Sequence, residues 1–402
     1  MSYFTMSSVF SLPPLLFVTF HEAYGISYTL LGTLVLINYC TQLTIDLVFT
    51  VFSKYFNTKI IVRIMPLITT LGLLTYALAP TFFPNYAYAG LVLGTFLFSV
   101  SAGLSEVMLS PTIAAIPSDN PQRDMSLLHS LYAFGVLTMV VISTVFLKVF
   151  GNENWMYLTV LLALLPIIPA VLFMLSPMPD MSGGEGEGEV GRHSGKRAAG
   201  LAVCVACIFF GSCAENTMSN WIPGFMENAL GIDKALGDIL GLAIFAILLG
   251  LARISYAKYG RSIEKTLLVG MIGAFFCYIA AGLANGAVIP TIACILTGLF
   301  TSMLWPGTLI MMEEKLPGVG VAAFAMMASG GDLGAAVAPQ LMGFVIDKVS
   351  QSGFAADLAS RTGFTAEQIG MKAAMLTSSI FPLLGTVAVI TAMIYFRRHK
   401  VK

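Results

Sequence analysis

Charged residues are scarce in this chain. Only 10% of its 402 residues are Asp, Glu, Lys or Arg, and 57% are hydrophobic, whereas a soluble domain carries about 25% charged residues. The 21 basic and 21 acidic residues cancel, which excludes the basic field that nucleic-acid binding requires. The mean hydropathy of +0.85 instead indicates a polytopic helical membrane protein embedded in a lipid bilayer.

Several chemical motifs are also missing. No P-loop occurs, so we do not expect ATP to drive the protein directly, and no nucleophile elbow or metal cluster suggests an enzyme. Cys204 and Cys207 have metal-ligand spacing without a second pair beside them, so we expect core thiols and no cofactor. The N-terminus has neither a basic segment nor a cleavage site, which indicates a first membrane helix rather than a cleaved signal.

Apolar segments long enough to cross a bilayer recur along the whole sequence. We predict an all-α membrane protein with twelve transmembrane helices, at residues 3–22, 29–52, 60–80, 86–115, 127–148, 155–176, 199–225, 236–256, 265–284, 287–312, 319–346 and 373–396. The fourth, tenth and eleventh segments run long and contain Pro or Gly, so we expect kinks or tilts there.

The distribution of basic residues predicts the orientation. An even number of spans puts both termini on one side of the membrane. If that side is the cytoplasm, sixteen of the 21 Lys and Arg residues face it. Five do not: Lys148, Lys234, Lys348, Arg361 and Lys372. Because cytoplasmic loops carry an excess of Lys and Arg, we expect a multi-pass protein of the cell membrane with cytoplasmic termini.

The predicted helices divide into two pseudo-symmetric bundles of six. A Gly/Glu-rich segment at 177–198 has the composition of a flexible linker, between an N-terminal bundle at 1–176 and a C-terminal bundle at 199–402. GLSEVMLSP (103–111) aligns with GLFTSMLWP (298–306), sharing Gly, Leu, Met, Leu and Pro. Both stretches fall in the fourth span of their half, which favours an internal duplication of the kind that transporters contain.

The loop GLARISYAKYGRS (250–262) resembles a degraded form of the loop signature of the major facilitator superfamily, and FSKYFNTK (52–59) is a weaker counterpart. Within that superfamily, four patches resemble the fucose:proton symporter and sugar-permease branch: SEVMLSP (105–111), LLHSLYAFG (127–135), CAENTMSNWIP (213–223) and MASGGDLGAAVAPQLMGFVIDK (327–348). The resemblance implies a two-bundle transporter that works by alternating access. One departure is the first span, which has prolines where this branch has an acidic residue, so fucose itself does not follow.

Four acidic residues lie inside predicted spans: Asp46, Glu106, Glu215 and Asp332. A carboxylate at that depth costs at least ~2.5–3.5 kcal/mol, so such residues are candidates for function. For coupling to H⁺ or Na⁺ we propose Glu106, Asp332 and Asp46, with His129 as a partner or relay. The alternatives are a packing role for Glu106, a gate charge at Asp46, an Asp332 that is simply protonated among packing glycines, and an ordinary hydrogen-bonding role for His129.

Two helical faces carry polar stripes. Four residues recur at three- and four-residue spacing in the fourth span, namely Ser99, Gly103, Glu106 and Ser110. Three more share one face of the second span, namely Asn38, Gln42 and Asp46. Such a face is not expected to contact lipid. The resemblance implies a proton-linked role for Glu106, because that branch has Glu-x-x-x-(Asn/Ser)-Pro here, and a substrate contact for Ser110.

The seventh span supplies the other predicted substrate contacts: Glu215, Asn216, Asn220 and Trp221. Amides and carboxylates suit sugar hydroxyls, and the resemblance implies that this helix contacts substrate. Trp221 has an alternative role as an anchor at the membrane interface. Trp305 precedes Pro306 and occupies the repeat position of Ser110, where either stacking on a sugar or core packing fits.

These residues predict a secondary active transporter for a small polar, sugar-like solute, coupled to H⁺ or Na⁺ and acting as a monomer. An efflux antiporter for drugs or metabolites is the alternative within the transporter class, since 22 Met and 28 Phe leave room for an apolar cavity. A transport-inactive membrane receptor or scaffold is the alternative from another class.

Overall fold

The computed structural model describes residues 1–52, 55–114, 116, 121–178, 195–260, 262–316 and 321–398. Most of the predicted linker, at 179–194, therefore lies outside the described residues. Seven α-helices precede that gap: α1 Ser2–Tyr24, α2 Tyr28–Phe52, α3 Thr58–Phe82, α4 Ala87–Ala114, α5 Pro121–Phe150, α6 Trp155–Leu164 and α7 Ile167–Leu175. Ten follow it: α8 Gly195–Gly224, α9 Lys234–Gly237, α10 Ile244–Tyr259, α11 Ile263–Leu283, α12 Val288–Thr301, α13 Pro306–Lys315, α14 Val321–Ser350, α15 Gly353–Thr362, α16 Ala366–Ser378 and α17 Ile380–Arg398.

All twelve predicted spans are helical, and the described residues contain no β-strand. Ten helical stretches of the described chain are long and apolar enough to cross a membrane, and Phe134–Phe150 is a shorter apolar helix. Four of the predicted spans consist of more than one helix. The sixth is α6 with α7, the eighth is α9 and α10 joined by π-helical turns at Asp238–Ala243, the tenth is α12 with α13, and the twelfth is α16 with α17.

The tenth span breaks where a kink was expected, at the turn between Thr301 and Pro306. Proline has no backbone N–H, so Pro306 removes one hydrogen bond from the helix at this point. The fourth and eleventh spans, α4 and α14, remain continuous. The short helix α15 lies between two spans and was not predicted, because it has only ten residues, of which half are apolar, and it carries the exposed Arg361–Asp357 ion pair of 3.0 Å.

Packing contacts divide the chain into two compact units. The first contains Met1–Ile26 and Ile37–Gly186, and the second contains Ser27–Leu36 and Glu187–Lys402. The boundary therefore passes through α2, whose first residues belong to the second unit.

The core of the first unit depends on close approach of α3 and α4. A Cβ atom at Gly72 would lie 2.5 Å from Phe98 N, and one at Gly94 would lie 2.6 Å from Tyr76 Cα. Small residues allow this approach, which van der Waals packing then stabilises in the absence of a hydrophobic driving force. The Tyr76 ring is fully buried and lies 5.6 Å from the Phe98 ring, centroid to centroid.

In the second unit, the start of α2 is held by acidic side chains of α14 and α16. Asp347 accepts hydrogen bonds from the backbone N–H groups of Tyr28 and Thr29, at 3.2 and 2.7 Å. Tyr28 donates its hydroxyl hydrogen to Glu367, and Asn228 Nδ2 donates to both, at 2.6 and 2.8 Å. Asp347 thus satisfies the backbone donors that a helix leaves free at its N-terminus.

We predict that Gly72→Ala and Gly94→Ala each lower the thermal unfolding midpoint of the purified protein. The added methyl groups meet backbone atoms that cannot rotate away, and overpacking of this kind costs about 1–3 kcal/mol. Gly250→Ala is the matched control, because nothing lies within 4 Å of its Cβ position and Ala favours a helix. Equal midpoints for all three variants would contradict the packing of α3 on α4.

Candidate functional site

The two predicted polar stripes of the first unit lie against each other. Ser99 Oγ of α4 donates to Asn38 Oδ1 of α2 at 2.7 Å, and Gln42 Nε2 donates to the same oxygen at 3.0 Å. A Cβ atom at Gly103 would lie 3.2 Å from Gln42 Cα, so the absence of a side chain there allows this approach. Asn38, Gln42 and Ser99 are all buried.

Both bonds use the amide oxygen of Asn38. Within the described residues, they leave its two N–H hydrogens without a protein partner, although an amide can make as many as four hydrogen bonds. The nearby hydroxyls of Thr69 and Ser101, by contrast, bond each other at 2.7 Å, and Ser101 also donates to Met65 O. Asn38 therefore retains donors that can hold a ligand oxygen, whereas the Thr69–Ser101 pair is occupied within the protein.

Glu106 is exposed, although residues 101–105 before it and Met108 and Leu109 after it are buried. Its helix face continues the stripe of Ser99 and Gly103. A charged carboxylate on a membrane-spanning helix is strongly disfavoured against lipid, so exposure of this residue points to contact with water.

The register of α2 against α4 brings a second acid to the same level. Asn38 contacts Ser99, and Gln42 lies against Gly103. The two partners are 61 residues apart in both cases, because residues four positions apart lie on the same face of each helix. The same offset puts Glu106 level with Ile45, beside Asp46, which is half-buried. Two of the predicted coupling residues therefore lie at one depth on neighbouring helices.

A separate charged site lies within the second unit. Arg253 Nη2 of α10 is 3.5 Å from Glu215 Oε1 of α8, and Arg253 Nε donates to the carbonyl oxygen of Ser302 at 2.8 Å. That carbonyl lies four residues before Pro306, the position whose backbone N–H would otherwise bond to it. The break between α12 and α13 thus creates an acceptor that Arg253 fills.

Arg253 is the functional candidate that the sequence prediction missed, since it was counted only as a basic helix end. Two signals were present. Arg253 falls inside the predicted span 236–256, where a cation needs a partner. Pro306 has no N–H, so a helix there would leave the carbonyl oxygen of Ser302, one turn earlier, without its usual donor.

The other predicted contacts on α8 are used within the protein. Asn216 Nδ2 donates to Ser212 Oγ at 3.1 Å, and Asn220 Nδ2 donates to Asn216 O at 2.8 Å. Trp221 is only 1% exposed, and its Nε1 donates to Pro339 O at 3.1 Å. Trp221 is therefore a core residue in this structure and not an anchor at the membrane interface.

The remaining candidates are spread over several helices. Asp332 is buried on α14, and the ring of Trp305, which is half-buried, packs against Gly331 beside it. The side chains of Ser110 on α4 and His129 on α5 lie outside the described residues. In the part of the chain that is described, no group of three or more His, Cys, Asp or Glu residues has the arrangement of a metal site.

We predict that a cysteine replacing Glu106 reacts rapidly with a charged, water-soluble thiol reagent, because thiolates form in water and not in lipid. Ser105→Cys, which is buried, and Leu93→Cys, which is 53% exposed on the same helix, are the controls and should react slowly. The rate of labelling in intact membranes measures this. Equally slow labelling of all three variants would contradict the assignment of water at Glu106.

The family model of the Major Facilitator Superfamily matches residues 1–339, whereas no curated protein sequence matches the chain. The fold is similar to a bacterial homolog of the human lysosomal transporter Spinster, with a TM-score of 0.78 and 12% identity over 100% of this chain and 96% of that one. It is also similar to a D-xylose-proton symporter, with a TM-score of 0.72 and 12% identity over 95% and 94% of the two chains. A third similar structure is the E. coli fucose:proton symporter FucP, with a TM-score of 0.59 and 13% identity over 97% and 96%.

At these identities the likeness concerns the fold alone. The match of the family model over most of the sequence confirms the predicted resemblance to the major facilitator superfamily. This multi-pass membrane protein belongs to the major facilitator superfamily of transporters.

Proposed function

We propose that this chain is a secondary active transporter for a small polar, sugar-like solute, coupled to H⁺ or Na⁺ and working by alternating access. We place it in the cytoplasmic membrane with both termini in the cytoplasm, as a monomer. One observation carries the proposal: a buried amide with free donors, on Asn38, lies along the same helix pair as the exposed carboxylate of Glu106. Two structures with a similar fold are a xylose symporter and a fucose symporter, which supports a sugar-like solute.

Glu106 is the proposed coupling residue. Its carboxylate takes up a proton, or contributes to a cation site, while water reaches it from one side of the membrane, and it releases that ion to the other side. Asp46 lies at the same depth and is a second member of this site. Two acids at one depth on neighbouring helices suit a shared proton or a bound cation, since like charges disfavour full ionisation of both. Asp332 and His129 remain further candidates.

The proposed substrate contacts begin with Asn38 and Gln42, whose amides suit hydroxyl groups. Ser110, Glu215, Asn216, Asn220 and Trp305 are further candidates from the sequence. Trp221 is the weakest of the predicted contacts, because it is buried and its N–H is already bonded. A ligand that bonds Asn38 Nδ2 would leave the Ser99 and Gln42 bonds intact, so binding requires no rearrangement of this cluster.

We expect Glu106→Gln to abolish solute accumulation driven by a pH or sodium gradient while leaving counterflow intact. The amide keeps the shape of the carboxylate but cannot exchange a proton, and counterflow needs no net ion movement. The assay is uptake into proteoliposomes, screened over monosaccharides, nucleosides and cationic dyes. Glu153→Gln is the control, since Glu153 is an exposed acid in the short turn that precedes α6.

Accumulation by Glu106→Gln equal to that of the unmodified protein would overturn its coupling role. Counterflow of dyes without counterflow of sugars or nucleosides would favour the efflux antiporter. Ligand binding without any counterflow would favour the receptor or scaffold.

Asn38→Ala should weaken solute affinity roughly three- to tenfold, the loss expected for one or two hydrogen bonds, while the response to the ion gradient persists. Ser101→Ala is the matched control, because its hydroxyl is bonded within the protein. The measurement is the half-saturation concentration of counterflow for each variant. An unchanged value for Asn38→Ala, or an equal change for Ser101→Ala, would exclude Asn38 from the substrate site.

A further inference from the structure

We infer that Arg253 and Glu215 form a proton-controlled site for a monoanionic carboxylate, so that the transported solute is a small hydroxylated acid rather than a neutral sugar. This inference rests on the proposed transport function and narrows its substrate class. Its physical basis is the positive charge of Arg253. An arginine in a membrane-spanning helix needs an anionic partner or a water-filled cavity.

The contacts of Arg253 orient its guanidinium but do not use all of its N–H donors. Arg253 Nε is held by the Ser302 carbonyl at 2.8 Å, which sets the orientation of the planar group. The Arg253 side chain remains 41% exposed, and its contact with Glu215 is 3.5 Å long. Charge-assisted hydrogen bonds are usually about 2.7–2.9 Å. The pair is therefore loose, and the open edge of the guanidinium matches the fork of a carboxylate.

The carboxylate of Glu215 competes with a substrate carboxylate for that edge of the Arg253 guanidinium. While it is ionised, it occupies Arg253 and the site is neutral. When a proton from water adds to a Glu215 oxygen, its attraction to Arg253 is lost, and a substrate carboxylate can take its place on the guanidinium. The loaded site then contains neutral Glu215, cationic Arg253 and one anion. Empty and loaded sites carry the same net charge, which avoids placing an uncompensated charge at membrane depth.

The count of charges also selects the ligand. One guanidinium balances one negative charge, so a dianionic phosphate would leave an excess charge at the site. A monocarboxylate meets this condition. The half-buried amide side chain of Asn216, next to Glu215 on α8, and Trp305 beside the helix break are suitable neighbours for the hydroxylated remainder of such an acid.

Other titratable groups lie on the elements packed around α8, and Arg253 is the one in contact with Glu215 among the described side chains. Tyr278 of α11 donates to Ala214 O at 2.8 Å. Lys315 pairs with Glu264 at 2.9 Å, and Lys234 pairs with Glu227 and Asp238 at 3.5 and 3.6 Å. Others are Asp332, Asp347 and Lys348 on α14, Glu314 on α13, Tyr256, Lys258 and Tyr259 on α10, Cys294 on α12, and Tyr395, Arg397 and Arg398 on α17.

The test compares binding of acid and neutral partners that differ only by a carboxylate in place of a hydroxymethyl group. We would use gluconate with glucitol, glucuronate with glucose, and lactate with propane-1,2-diol, on the purified full chain in detergent, by calorimetry at roughly pH 5.5 and pH 8, where these acids are ionised. At least one acid should bind at least about tenfold more tightly than its neutral partner, the effect of one charge-assisted contact. Its affinity should rise as the pH falls.

Three variants separate the roles. R253Q should reduce acid affinity at least about tenfold and leave the neutral compounds unaffected. E215Q, which mimics protonated Glu215, should bind the acid tightly at both pH values. R361Q is the control, because Arg361 belongs to an exposed arginine–carboxylate pair outside this site.

Failure to bind any of the acids, equal binding of acid and neutral partners, or unchanged acid affinity in R253Q would overturn the inference. These results are distinguishable from failure of the transport proposal. If neutral solutes show counterflow in the unmodified protein and in R253Q alike, the protein is a transporter and only the carboxylate site is wrong. If no solute shows counterflow, the transport proposal itself fails.

Discussion

The absence of water from the hydrocarbon region is the constraint on which the rest of this structure depends. Every polar group inside a span has to find its partner within the protein. Most hydroxyls do so locally, as when Thr297 and Thr301 each bond the carbonyl one turn earlier, at 2.9 Å. The Ser302 carbonyl cannot bond locally, because Pro306 removes its donor, and a distant arginine satisfies it. Asn38, Glu106 and Arg253 are polar groups that local pairing does not fully account for, and they lie at the candidate sites.

The two copies of the sequence repeat differ in helix structure and in the residues they place at the candidate sites. GLSEVMLSP lies on the continuous helix α4, where Glu106 is exposed. Its counterpart GLFTSMLWP contains the break between α12 and α13, and Thr301, which aligns with Glu106, is buried and bonds within its own helix. The first unit therefore carries its acid on the repeat itself, whereas the second brings Glu215 and Arg253 from α8 and α10 to the repeat. The shared glycines Gly103 and Gly298 lie in close packing, whereas the proposed coupling residue Glu106 is one of the positions at which the repeats differ.

Hydropathy predicted the twelve spans to within a few residues because bilayer thickness and backbone pairing leave a helix little freedom. Helical periodicity also predicted the stripes of Asn38, Gln42 and Ser99, which the structure joins by hydrogen bonds. Contacts between distant segments were beyond the same reasoning. The Arg253–Glu215 pair joins residues 38 positions apart, and the burial of Trp221 depends on Pro339 of α14. Periodicity identifies a face, but the neighbour that covers it depends on tertiary packing.

The boundary between the units in the middle of α2 has a consequence for how this chain can be divided. The sequence suggests cutting at the Gly/Glu-rich segment, which would separate two six-helix polypeptides. In the structure, however, Tyr28 and Thr29 from the first polypeptide donate hydrogen bonds to the carboxylates of Glu367 and Asp347, respectively, from the second. A C-terminal fragment made alone would keep both acids without the helix start that satisfies them. One division between the packed units therefore lies inside α2, away from the Gly/Glu-rich segment.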